Sequence, residues 1–79
     1  MSVEAVAAEA PPENRPERVG SAPHPGWAYV SGYWNLVNGH HVWVPGFWTV
    51  PPEGKHRWQP AAWHHDRSQG WVLTKGYWR

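Results

Sequence analysis

The sequence predicts an all-β fold: a four-stranded antiparallel meander, bent at mid-strand Gly and Pro positions into a small creased sheet or half-barrel, behind a disordered N-terminal tail. Three observations predict it. All eight tryptophans, the three tyrosines and the one phenylalanine lie between Trp27 and Trp78, a six-residue pattern recurs four times there, and each gap between copies carries turn chemistry.

The 79 residues suffice for one small domain. Residues 1–26 are the expected tail. They hold five prolines, two glycines, no aromatic residue, and four Glu against two Arg, so they cannot bury enough surface to offset chain entropy. Ser2 to Ala10 is long enough for a turn or two of helix and too short to keep it alone. Residues 27–79 are the expected domain.

The later Trp of each repeat unit stands at 34, 48, 63 and 78. Aligned on it, the units read YVSGYW, WVPGFW, WQPAAW and LTKGYW, with Trp27, His41, His56 and Trp71 two positions further upstream. Four copies of one supersecondary unit follow. Asn38-Gly39 is the dipeptide of a tight hairpin turn, PPEG at 51–54 is turn chemistry, and DRSQG at 66–70 is a polar loop. Val, Tyr, Phe, Trp and Thr flank them, as strands prefer. No helical period appears beyond residue 27.

Facing residues of an antiparallel hairpin have a constant number sum. The turn centres give 77 for the first hairpin, 105 or 106 for the second and about 136 for the third. Gly32, Pro45, Pro60 and Gly76 then line up across the sheet as a fold line, since mid-strand Pro and Gly mark bends and bulges. Two aromatic rungs flank it: Trp34, Trp43, Trp63 and Leu73 above, Tyr29, Trp48, Trp58 and Trp78 below. A one-residue bulge at the crease would turn both rungs to one side, as walls of an aromatic interior. Such a small core, without cysteine, leaves little stability margin. The edges 27–37 and 71–79 are expected to be open to another chain, and a homo-oligomer or larger assembly is the expected partner.

With these residues in view, WVPGFW, and more loosely YVSGYW and LTKGYW, resemble the bacterial WXXGXW (YXWGXW) Trp-rich repeat family. The third unit departs from it, with Ala61 at the glycine position. The resemblance covers residues 27–78. It implies a small bacterial envelope protein, periplasmic, on the outer surface or secreted, and carries no catalytic residue. No apolar run of signal-peptide or membrane length is present, so the chain is expected to be either cytosolic or a mature or recombinant form whose export signal has been removed and replaced by Met1, and the resemblance implies the second. The tail would serve as a spacer.

Chemistry beyond this is sparse. His41 beside His65, with Asp66 next along the chain, offers two imidazoles and a carboxylate for Zn or Cu. Solvated strand-end residues are the expected role, because each adjacent His pair gives one ligand per face. No resident cofactor is expected, and haem between the Trp walls is not expected. Catalysis is not expected either, since no nucleophile is placed beside His65 and the domain holds two acids. Five dispersed Lys and Arg argue against nucleic acid. Two non-enzymatic functions remain: a structural or adhesive role through self-association, or recognition of a cell-wall or matrix glycan by Trp27, Tyr33, Phe47 and Tyr77, whose rings are expected outside the core.

Overall fold

A computed structural model describes residues 3–79 and shows an all-β protein; the first two residues of the expected tail lie outside the described range. Two turns organise it. Asn38 and Gly39 both take left-handed backbone angles, φ 50 and 79, which close β3 (Tyr33–Val37) onto β4 (His40–Val44) with Val37 facing His40. At the other turn Gly70 has φ 92 and faces Asp66, joining β7 (Ala62–Asp66) to β8 (Gly70–Thr74). Asp66 Oδ1 accepts from the Ser68 and Gln69 amides and the Ser68 hydroxyl at 2.8–3.0 Å.

Those bonds, that of Ser68 first, hold the Asp66 carboxyl below its ordinary value of 3.8. A depressed carboxyl stabilises the fold above the unfolded-state value and loses that contribution as pH falls through the folded one. The expected result is that acid below about pH 4 loosens this loop first in the native chain, and that Asp66→Asn removes that local pH dependence. Amide chemical shifts of Ser68 and Gln69 across pH 2–6 check it; a flat titration in the native chain refutes it.

Each hairpin continues past an interruption with its register unchanged. In the first, β2 (Ala28–Val30) pairs with β5 (Phe47–Thr49) and β3 with β4, every facing pair summing to 77. In the second, β6 (Trp58–Gln59) pairs with β9 (Tyr77–Trp78) and β7 with β8, every pair summing to 136. The ladders break at Ser31-Gly32, Pro45-Gly46, Pro60-Ala61 and Lys75-Gly76. The crease is therefore symmetric, two residues on each strand, rather than a bulge on one.

The four-stranded meander does not form. No ladder joins β4 to β7 or β5 to β6. A register of 105 would set Pro45 against Pro60, two residues without an amide hydrogen, at the centre of that ladder. Pro52 O instead accepts from Lys55 N at 3.0 Å around Gly54 (φ 80), and the Arg57 and Arg79 backbones exchange bonds of 2.9 Å. The fold is thus two creased hairpins, not one folded sheet. Trp63 of the second docks on the first: its indole N–H donates to the Trp34 carbonyl at 2.7 Å, and its ring stands edge-on to His41 at 5.4 Å.

The largest departure lies in residues 3–19, which are laid against the rest of the chain. Val3–Ala7 forms β1, antiparallel to β8, giving a three-stranded sheet β1-β8-β7 with Val3 opposite Thr74 and Ala7 opposite Trp71. Composition excludes a segment that builds its own core, and β1 does not; it borrows one. Val3, Ala5, Val6 and Ala7 make a mostly apolar segment that can strand-pair, and the edge of β8, expected to be open, supplies the partner. The buried side chains sit beside it: Val72, Leu73 and Thr74, with Trp34 from the first hairpin. That core is thin. The radius of gyration is 14.0 Å, against about 12 Å for a spherical domain of this length, and the molecule measures 43 × 26 × 19 Å.

Candidate functional site

The repeat builds an aromatic ladder on each hairpin. Tyr29 meets Trp48 at 5.4 Å, Trp34 meets Trp43 at 5.3 Å and Trp58 meets Trp78 at 5.2 Å, all edge to face across paired strands. Such a pair contributes about 0.5–1.5 kcal/mol beyond its buried area. The glycines of the motif fit beneath these rings. A Cβ on Gly32 would stand 2.6 Å from Trp43 Cζ2, one on Gly76 would stand 2.8 Å from Trp58 Cε2, and one on Gly46 would meet the Tyr29 hydroxyl. The opening aromatic of one unit thus lies over the glycine of the facing unit. Where the fourth unit opens with Leu73, the facing third unit carries Ala61, because no indole has to be received.

Over the first ladder runs a strap, residues 13–19. Its contacts alternate along the chain. The Glu13 carbonyl accepts from Trp34 Nε1 at 3.0 Å, the Arg15 guanidinium sits 5.3 Å above the Trp34 ring, and the Val19 carbonyl accepts from Trp48 Nε1 at 3.0 Å. Between them, Glu17 Oε1 accepts from the Tyr29 hydroxyl at 2.7 Å and from the Gly32 amide at 2.8 Å. The same oxygen would stand 2.9 Å from a Cβ on Gly32. Both rungs therefore turn to one side and converge on this carboxylate, whose bond holds the Tyr29 hydroxyl above its ordinary value of 10.0. The strap thus lies along this side of the first hairpin, held at Trp34, Gly32, Tyr29 and Trp48.

The residues expected to bind a glycan divide. Phe47 and Tyr77 are exposed, at 55% and 47%. Trp27 is half-buried against His24, 4.9 Å between ring centroids. Tyr33 is half-buried, and its hydroxyl is pushed up by desolvation and then by Glu4 of β1, so it belongs to the sheet junction rather than to an open face. The metal ligands are not brought together: His41 stands against Trp63, His65 against Trp71 at 5.4 Å, and Asp66 is committed to its own loop. Among the described residues no group of three His, Cys, Asp or Glu is placed to hold an ion. His41 Nε2 is buried without a partner and borders an open cleft of about 470 Å³ between Val6 of β1 and Leu36 and His40 near the hairpin tip.

The residues missed from sequence are those of the strap, above all Glu17, which stands between Pro16 and Arg18 with nothing in its own stretch to mark it out. The comparisons with known proteins add no family: no family model matches the chain, and no curated protein or solved structure does either. Chemically, the ladder presents two indole N–H donors, one hydroxyl and one backbone amide to an extended segment with one carboxylate between its two bonded carbonyls.

Proposed function

We propose that this chain is a non-enzymatic structural module of the bacterial envelope that acts by self-association, copies being joined by exchange of the N-terminal segment. The observation that carries it is the source of β1: the edge of β8 is covered by residues 3–7, which reach it through some twenty residues without a covalent tie. A strand held in this way can complete the same edge on a neighbour at no cost in contacts, so concentration decides which copy it serves. The envelope setting comes from the WXXGXW resemblance, and the absence of cysteine leaves the chain without a disulfide to lock one arrangement.

Facing positions give the test. Val6→Cys and Val72→Cys chains, prepared separately and mixed under mild oxidant, are expected to form a mixed disulfide dimer whose yield rises with concentration, because Val6 faces Val72 only across the β1–β8 ladder. A double variant closing only on itself, with no mixed dimer and a sedimentation coefficient constant over concentration, would remove the proposal.

A second role is favoured by the exposed rings of Phe47 and Tyr77, which lie on the face opposite the ladder. Arg57 and Arg79 are cross-strand partners beside Tyr77, so an acidic glycan is the class that suits this face, its carboxylates meeting guanidinium forks and its sugar faces the phenol ring. Loss of retention on an acidic-polysaccharide column by Tyr77→Ala, with Phe47→Ala intermediate, is the expected result; retention unchanged in both refutes it.

A further inference from the structure

We propose that the crease of the first hairpin is a carboxylate-recognition notch whose ligand is the Glu13–Val19 segment, taken in trans from a second copy as well as in cis. This rests on the self-association reading and names the segment and atoms that would carry it.

Two donors from different elements, the Tyr29 hydroxyl and the Gly32 amide, converge on one carboxylate oxygen, while Trp34 and Trp48 present indole N–H groups on either side. The four groups read an extended peptide by its backbone carbonyls six residues apart and by one acid between them, features that do not depend on which chain supplies them. Pro11, Pro12 and Pro16 restrict the free segment to extended conformations, so little order is lost when it is laid down. A charge-assisted bond to a backbone amide at a partly buried site is the stronger kind.

The notch is not a general product of the repeat, which argues for selection of this site. In the second hairpin the place of Tyr29 is taken by Trp58, whose ring already lies over Gly76 where Glu17 lies against Gly46, and Ala61 stands where Gly32 leaves room. Its upper Trp, Trp63, spends its N–H on the Trp34 carbonyl. Of two hairpins built from one motif, the first alone has a glycine pair, a phenol and two indole donors arranged around an acid.

The test uses the full chain carrying Glu17→Ala, which removes the acid from its own notch and leaves its strap held by two carbonyls alone, and a synthetic peptide of residues 11–20 in excess as probe. The peptide is expected to shift the Trp34 and Trp48 indole N–H resonances saturably, with a Glu17→Gln peptide binding about tenfold weaker or worse, the size expected for losing a charged hydrogen bond. Tyr29→Phe in the receiving chain is expected to weaken the native peptide and to narrow the gap between the two peptides. Equal binding of both peptides, or no shift at the two indoles, overturns the notch. Should Glu17→Ala fail to fold, displacement of the native strap by excess peptide in the unmodified chain reads the same resonances with the same two outcomes. Peptide binding by a chain that stays monomeric at every concentration would keep the notch and discard self-association; mixed disulfide dimers between chains that ignore the peptide would do the reverse.

Discussion

Removing residues 1–19 is expected to abolish cooperative unfolding of the remaining chain. The deletion strips β1 from β8, takes both strap carbonyls from Trp34 and Trp48, and uncovers Val72, Leu73 and Trp34, the buried hydrophobic residues of the core. Two lost indole bonds cost about 1 kcal/mol each, and re-exposing three large apolar side chains costs about 1.5–3 kcal/mol apiece. A domain of this size has roughly 4–12 kcal/mol in all. The loss is of the same order as the whole. Near-ultraviolet circular dichroism and Trp fluorescence on heating check it: a sigmoidal transition at the native midpoint in residues 20–79 would show that the segment is an appendage after all.

The second large effect is expected from Gly32→Ala, one methyl group at a buried position. Its Cβ would stand 2.6 Å from Trp43 Cζ2, 2.7 Å from the Val44 carbonyl and 2.9 Å from the Glu17 carboxylate. The Val44 oxygen is backbone and cannot swing aside, so the crease must open or the ring and the carboxylate must leave. Overpacking of this kind costs about 1–3 kcal/mol. At about 4–8 °C per kcal/mol for a domain of this length, the melting midpoint should fall by roughly 5–20 °C. Ala61→Gly, at the equivalent place in the third unit, relieves nothing and is expected to cost about 1 kcal/mol or less through backbone freedom alone. If the two substitutions shift the midpoint equally, the rings are not what the motif's glycines serve.

Local rules made the hairpins legible. Asn38-Gly39 fixes one turn centre and the Asp66–Gly70 loop another, and from those two numbers the facing pairs Tyr29–Trp48, Trp34–Trp43 and Trp58–Trp78 follow by arithmetic. The interruptions at Gly32, Pro45, Pro60 and Gly76 were legible for the same reason: proline has no amide to give and glycine has no side chain to pack. The middle pairing was not. PPEG reads alike whether it reverses a ladder or only turns a connector, and the difference lies in Pro45 facing Pro60, a conflict between units that no single unit displays.

The N-terminal segment was illegible for a deeper reason. Composition asks whether a stretch can bury surface of its own, and for residues 3–19 it cannot. Its partners, β8 and the Trp34–Trp48 face, lie elsewhere in the chain, and nothing in Glu17 itself announces the Gly32 amide. The apolar run from Ala5 to Ala8, with Val3 before it, was the available hint. Phe47 and Tyr77 are exposed because alternation along a strand is local; Tyr33 is half-buried because Glu4, of the strand at residues 3–7, lies against it.

The pairing of Val3 with Thr74 also sets an order on biogenesis. On the ribosome the first of these is made some seventy residues before its mate, so the newborn chain carries an unpartnered β1 while the Asn38-Gly39 hairpin can already close around its short turn. Contacts of such long sequence separation form late and slowly. During that interval the strand is unpaired and exposed to neighbouring polypeptides on the same messenger, as unpaired strands of an incomplete chain are.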